Sequence, residues 1–257
     1  MQQQVDVALL DALATVRDPE LDEPITSLGF VAACTVSADG EAEVRLRLPT
    51  YFCAPNFAYL MVADAYDAVM MLPGIRAAQV ILEDHFASDA INGGVAAQAG
   101  FARSFDGEAV GELHELRRDF LRKAVLAGTD QVCREVRAAG GTANGGIANG
   151  GTAPGGPAKG QAWLRGLTLG EVPPSRALGR LRQRRAELGL PAGDDALLLI
   201  DPATGTPVTA EALPLHLRRA RVTAVSLEAN GSICQGMLRQ RYATSGQGES
   251  MRCEEDQ

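Results

Sequence analysis

Cys53 stands in the stretch LPTYFCAPNF, residues 48–57, two positions before Pro55. An alternating run ends just ahead of it and a helical pattern begins just after it, so the cysteine falls in a strand-to-helix loop. Proline is favoured in the first turn of a helix. Unpaired backbone N–H groups and the positive end of the helix dipole then favour negative charge on the sulfur. Open α/β sheets also place sites beyond the carboxyl ends of their strands, where this loop belongs. A thiol so placed can ligate a soft metal or attack an electrophile. It can equally be a small apolar residue of the core.

Upstream, DPELDEP at 18–24 sets Asp18, Glu20, Asp22 and Glu23 in a turn pinned by Pro19 and Pro24. Such carboxylates are commonly solvated turn elements. Close to Cys53, one of them would oppose negative charge on the sulfur, or serve as a hard ligand for iron. The other cysteines carry less signal. Cys34 is in phase with the buried face of a strand, Cys133 sits on the flank of a helix, Cys234 falls in an expected hairpin and Cys253 in a polar tail. There is no CxxC pair, and five cysteines form neither a disulfide framework nor a self-contained zinc site. His85, His114 and His216 are far apart, outside any HExxH or ExxH spacing, and no GxSxG elbow occurs. No histidine is spaced to act as a base for a cysteine nucleophile.

The elements that must position Cys53 can be read from periodicity. Val5, Ala8, Leu9, Ala12, Leu13 and Val16 recur at helical spacing ahead of Pro19. Ala42, Val44, Leu46 and Leu48 alternate with charged residues as in a half-buried strand, and Phe30 to Val36 precede them with the same period. A three-residue loop, Ala38-Asp39-Gly40, pairs Val36 with Ala42, Cys34 with Val44 and Ala32 with Leu46. It also puts Gly40 at the left-handed position. Pro55 opens a helix with Ala58, Met61, Val62, Ala65, Val69 and Leu72 on one face, ended by Pro73-Gly74, and a third strand covers about 75–82. Strand, helix, strand is a crossover, so the third strand lies parallel to the second.

The chain of 257 residues has length for one or two domains. Its 46% hydrophobic and 22% charged residues exclude collagen-like, coiled-coil and wholly disordered classes. A net charge of -8, with the excess of acids over bases concentrated in residues 1–105, argues against nucleic acid as the main partner. No apolar run approaches the ~18 residues of a membrane span, and no basic residues precede the first apolar stretch as in a signal peptide. The expected location is the cytoplasm, without membrane contact.

Residues 140–160 repeat a GGxAx unit and read as a flexible tether spanning roughly 25 Å. The expected organisation is an α/β domain at 1–86, a connecting segment with a long helix at 87–139, the Gly-rich linker at 140–160, a small C-terminal module at 161–245 and a disordered tail at 246–257. The long helix is expected from about 111 to 139. In the module, Pro174 starts a helix, LLLI at 197–200 reads as a buried strand and Asn230-Gly231 as a hairpin turn. Arg176, Arg180, Arg182, Arg184 and Arg185 read as a solvated helical face, with an acidic partner or the protein's own acidic half as the other reading. The fold class is α/β (α+β): a small mixed three-stranded sheet with two helices, then a long helix, a linker and a second small α/β module.

The order "VRDPELDEPITSLGFV", hairpin, "LRLPTYFCAPNF", helix, "LPGIRAAQVIL" resembles the PaaD-like and SufT-like family of metal-sulfur (iron–sulfur) cluster assembly domains over about residues 4–84. That pattern has a DPE turn, a Leu-Gly-hydrophobic segment, a Thr-x-x-x-Cys loop and a Leu-Pro-Gly before the last strand. The resemblance implies that the functional cysteine is Cys53, the loop threonine Thr50 and the acidic turn Asp18 and Glu20. Where the family commonly has Gly-Cys-Pro, this chain has Phe52-Cys53-Ala54-Pro55. Tyr51 and Phe52 accordingly shield the thiol, contact a client, or pack in the core.

The long extension is similar to larger versions found with bacterial multicomponent di-iron monooxygenases. The implied role is a maturation factor, with no catalytic residues, that loads iron or an iron–sulfur cluster into a client through Cys53. The iron or cluster is transient cargo and no cofactor is permanently bound. Partners are then a client metalloprotein or other assembly factors, with a homodimer as one way to complete the ligand set. A metal-free folding or docking adaptor is the alternative.

Overall fold

The computed structural model describes residues 2–105, 113–138, 162–243 and 252–253. The linker expected at 140–160 and all of the 246–257 tail except 252–253 lie outside these. The chain divides into two compact units: residues 1–117 with 229–257, and residues 118–228.

In the first unit, helix α1 (Gln2–Leu13) leads into the acidic turn, and strands β1 (Val31–Val36) and β2 (Glu41–Arg47) form the expected hairpin. Helix α2 (Pro55–Met70) and strand β3 (Ala77–Glu83) complete the crossover, with β3 parallel to β2. A two-residue strand, β4 (Arg252–Cys253), pairs with β1 at the far edge, giving the order β3-β2-β1-β4. The mixed α/β class and the sheet of three full strands are as the periodicity predicts.

The hairpin register confirms Val36 opposite Ala42 and Cys34 opposite Val44, but Leu46 faces Val31 where Ala32 was expected. A β-bulge between Val31 and Ala33 inserts one residue into β1 and shifts the alternation beyond it. Gly40 has φ +79°, and a Cβ there would collide with the carbonyl of Gly74. Its own carbonyl accepts from Arg76 N–H at 2.8 Å, tying the hairpin tip to the start of β3. Glycine is thus required twice over, by backbone conformation and by close approach.

Alternation sorts the two faces of the sheet. Val44, Leu46, Val80 and Leu82 are buried together with Leu9 and Leu13 of α1 and Ala58, Met61, Val62, Ala65 and Val69 of α2. Each large apolar side chain buried this way contributes about 1.5–3 kcal/mol. On the opposite face Glu83 bridges Arg45 at 2.8 Å and Arg47 at 2.6 Å.

Past β3, where the sequence shows only a Gly- and Ala-rich stretch, lie helices α3 (Ser88–Ala96) and α4 (Phe101–Ser104). Asn92 of α3 accepts from Leu82 N–H at 2.8 Å and donates to the Leu82 carbonyl at 3.1 Å. Its amide covers part of the exposed edge of β3, where a free strand edge would invite pairing with another chain.

Helix α5 (His114–Ala138) carries the long helical pattern. The second unit holds most of α5, a 3-10 turn at Ala162–Gly166, helix α6 (Arg176–Glu187) and the first part of helix α7 (Leu213–Ala243). Ser175 caps α6 by accepting from Leu178 N–H at 3.1 Å. Val125, Val132, Leu164, Leu169, Leu181, Leu198 and Leu199 form its core.

Three expectations fail in residues 161–245. The strand at 197–200 is reduced to isolated bridges, Thr168 to Leu197 and Ile200 to Pro207. The run is buried as predicted, but glycine-containing turns flank it and its backbone bonds to 167–169 on one side and 206–208 on the other amount to one bridge each. The hairpin at Asn230-Gly231 is absent, because α7 runs straight through both residues. Buried Ala224 and Leu238, on either side, supply packing that outweighs a local turn preference. Finally, Arg184 and Arg185 are buried and not part of a solvated face. Arg185 is fully enclosed and donates to the carbonyls of Leu197 and Leu198.

Candidate functional site

Because β2 and β3 run parallel, the loops leaving their carboxyl ends emerge on the same side of the sheet. The first is the Cys53 loop and the second is the His85 segment. Phe86 N–H donates to the Tyr51 carbonyl at 3.2 Å, joining them.

Thr50 organises the first loop through one oxygen. Its Oγ1 lies 3.3 Å from Cys53 Sγ and accepts from Phe52 N–H at 3.2 Å. A hydroxyl that accepts from the backbone retains its own proton, which it can direct at the Cys53 sulfur. Cys53 is a free, partly exposed cysteine one residue before Ala54, the N-cap of α2, with Pro55 at the start of the helix. Ala54 offers no side-chain cap.

His85 clamps the same loop from below. Its Nδ1 accepts from Ala87 N–H at 3.2 Å, so the proton of the neutral ring resides on Nε2, which donates to the Cys53 carbonyl at 2.7 Å. The ring is 3% exposed. Burial, opposed by the bond to Cys53 and assisted by the charge of Arg241, holds its pKa below the ordinary histidine value. The imidazole meets the cysteine backbone and not the sulfur, which is a positioning contact rather than the geometry of a general base.

Around the thiol lie exposed aromatics. Tyr51 and Phe52 meet edge to face at 5.0 Å between centroids, and Phe86 sits 6.0 Å from Phe52. Phe52 is 76% exposed, so the core-packing reading of this residue is wrong. The loop's hydrogen bonds turn its ring outward.

In the acidic turn, Asp18 is 8% exposed and its Oδ1 accepts from Glu20 N–H at 2.9 Å and Leu21 N–H at 2.8 Å. It shapes the turn, while Glu20 is exposed. Desolvation raises the Asp18 pKa to about 6, against those two backbone bonds.

The end of α7 brings in a thiol that the sequence did not suggest. Gln235 donates to the Ser27 carbonyl at 3.2 Å, Arg241 donates to the carbonyls of Leu48 and Asp84, and Tyr242 hydroxyl donates to Asp84 at 3.2 Å. Leu238 is buried in the same core as β2 and α2. Cys234 is free and partly buried, and its thiol pKa is pushed up by desolvation, then by the charges of Asp18, Cys53 and Glu20. These three predicted residues are therefore all within electrostatic reach of Cys234. Cys133 is buried in the second unit, where desolvation lifts its pKa to about 12. His114 opens α5, and His216 lies in α7 within the second unit. Among the described residues, no group of three or more His, Cys, Asp or Glu side chains is set to hold a metal ion. None of the described helices is long and apolar enough to cross a membrane.

Residues 6–81 match the family described as "Iron-sulfur cluster assembly protein". The chain belongs to that family. An "Iron-sulfur cluster carrier protein" of Deinococcus radiodurans is 38% identical over 73 residues, covering 28% of this chain and 20% of the carrier. An uncharacterised protein of Methanocaldococcus jannaschii is 30% identical over 84 residues, 33% of this chain and 86% of that protein. The chain thus spans only a fifth of the carrier's length. No solved structure matches it significantly. The cluster-assembly segment contains Asp18, Glu20, Thr50 and Cys53, whereas His85, Phe86 and the whole of α7 lie outside it.

Proposed function

We propose that this protein is a non-catalytic factor that hands iron or an iron–sulfur cluster to a client metalloprotein, with Cys53 as the sulfur that contacts the cargo. The observation that carries this reading is the Cys53 loop itself. Its free, partly exposed thiol lies 3.3 Å from a hydroxyl whose other bond is spent on the backbone, while a buried histidine holds the cysteine carbonyl. Family membership supports the same reading.

Iron–sulfur clusters usually have four protein ligands, so the remaining ones come from the client, another assembly factor or a second copy of this chain. Shared ligation keeps the cargo labile, as delivery requires. Tyr51, Phe52 and Phe86 form the apolar rim that a client covers during transfer, excluding water from the cargo. A di-iron monooxygenase is the client class to examine first, given the similarity of the long extension to versions found beside such enzymes. The handover takes place in the cytoplasm.

The test is client loading by protein prepared without oxygen, comparing the unaltered chain with Cys53→Ser. Loss of iron transferred to the client at unchanged thermal midpoint is expected. Equal loading by the variant would overturn the reading.

A further inference from the structure

We propose that Arg241 is a positioning residue for the cargo sulfur: from the last turn of α7 it fixes the backbone at Asp84 that aims His85 at the Cys53 loop. This deepens, and rests on, the reading of Cys53 as the cargo contact, and it names a residue outside the cluster-assembly segment at 6–81. Asp84 directly follows β3 and has φ +50°. Left-handed backbone is disfavoured for any residue with a side chain, although aspartate tolerates it better than most. Such a conformation persists only where the surroundings over-determine it. The turn matters because His85 comes next, donating from Nε2 to the Cys53 carbonyl at 2.7 Å. Phe86 follows, and its N–H donates to the Tyr51 carbonyl at 3.2 Å. Relaxing Asp84 to ordinary backbone angles would swing both donors away from the loop they hold.

The bonds that over-determine Asp84 come from α7. Arg241 Nη2 donates to the Asp84 carbonyl, and Tyr242 hydroxyl donates to the Asp84 carboxylate at 3.2 Å. Arg241 Nη1 donates to the Leu48 carbonyl at 2.9 Å, where β2 has just ended and the Cys53 loop begins. One guanidinium thus joins the carboxyl ends of both parallel strands. Its planar fork fixes the separation of the two carbonyls, which a single ammonium group does not. Arg241 is itself held in place. Its guanidinium and that of Arg47 lie 5.2 and 4.9 Å from the centroid of the Tyr242 ring. Leu238, almost one turn earlier, is buried in the core of the first unit. The positive charge also sits in the last turn of α7, where the helix dipole favours it.

The experiment measures the rate at which iodoacetamide alkylates Cys53 in the full-length protein, quantified by mass spectrometry on the peptide that carries it. Cys53 is free and partly exposed, so releasing its loop should open the thiol further. Arg241→Gln should speed alkylation by roughly fivefold, the weight of one ordinary hydrogen bond. Arg241→Lys keeps the charge but cannot span both carbonyls, and should fall between the two. Amide exchange across β2, residues 41–47, should stay as slow as in the parent. If Arg241→Gln loosens β2 as well, Arg241→Lys carries the test. The readout that a merely structural role would not move is coupling to His85. Groups acting through one another are non-additive, so Arg241→Gln should add little to the rate of His85→Ala. A parent-like rate in Arg241→Lys, or the same acceleration with and without His85, would overturn the proposal. Since no readout involves cargo or client, that failure would leave the Cys53 reading standing if Cys53→Ser still abolished loading. Equal loading by Cys53→Ser would overturn both.

Discussion

His85 Nε2 stands 2.7 Å from the carbonyl oxygen of Cys53, with its Nδ1 fixed by Ala87 N–H. The end of one strand thereby sets the backbone of the loop that leaves its parallel neighbour. Removing the ring leaves a carbonyl without its donor, at a cost of about 1–3 kcal/mol. His85→Ala should lower the thermal midpoint and reduce client loading, and His85→Gln, which retains a terminal N–H donor, should recover part of the loading. No difference in loading among the three proteins would refute the positioning role.

Asp18 gives the first unit a pH dependence of definite sign. Its carboxyl holds a proton up to about pH 6 in the fold, against 3.8 for a free carboxyl. The native state therefore binds more protons within that window, and stability from Asp18 is present below it and lost as pH rises through about 6. His85 acts in the opposite sense. Its lowered pKa means that its contribution is complete above the ordinary histidine value and is lost as pH falls. Asp18→Asn keeps the oxygen that accepts from Glu20 and Leu21 and removes the titration. The variant should gain up to ~3 kcal/mol over the parent above pH 6, with little difference near pH 4, in urea melts at each pH. An unchanged difference across that range would contradict the assignment.

The aromatic rim separates stability from transfer. Phe52 is mostly exposed, and its ring neighbours, Tyr51 and Phe86, are themselves partly exposed. Phe52→Ser should keep the urea midpoint within about 0.5 kcal/mol, as surface changes commonly do. Client loading should fall several-fold. A variant that loads as well as the parent would show that the rim is not a client contact.

How much of this could be read in advance follows from what local sequence encodes. The β2 pattern, Gly40 and Pro55 each carry a strong local signal, and they placed Cys53 in its strand-to-helix loop with Thr50 beside it. The bulge at Ala32 was hidden because alanine fits either face of a strand. His85 gave a weaker clue. Two parallel strands ending together bring residues 53 and 85 to one edge, but the sequence distance between them conceals this. Cys234 gave none, because Asn230-Gly231 reads locally as a turn. Only tertiary packing of Leu238 and Arg241 shows that a continuous helix carries it back to the acidic turn.

Arg185 should govern the stability of the second unit. It is wholly buried near the C-terminal end of α6, where the helix dipole favours positive charge, and donates to the carbonyls of Leu197 and Leu198 at 2.8 and 2.5 Å. Desolvation, followed by repulsion from Arg182, lowers its pKa to about 10, so it remains charged at neutral pH. Arg185→Ala leaves both carbonyls without this donor and opens a cavity where the buried guanidinium stood. Loss of one member of a buried charged network typically costs about 3–5 kcal/mol. The single tryptophan, Trp163, lies in the 3-10 turn of this unit, next to buried Leu164. Its fluorescence therefore reports on the second core directly. The urea midpoint followed at Trp163 should fall sharply in Arg185→Ala, while Arg176→Ala, an exposed position on the same helix, should shift it far less. Equal shifts would mean that helix propensity, and not the buried bonds to 197 and 198, holds α6 in place.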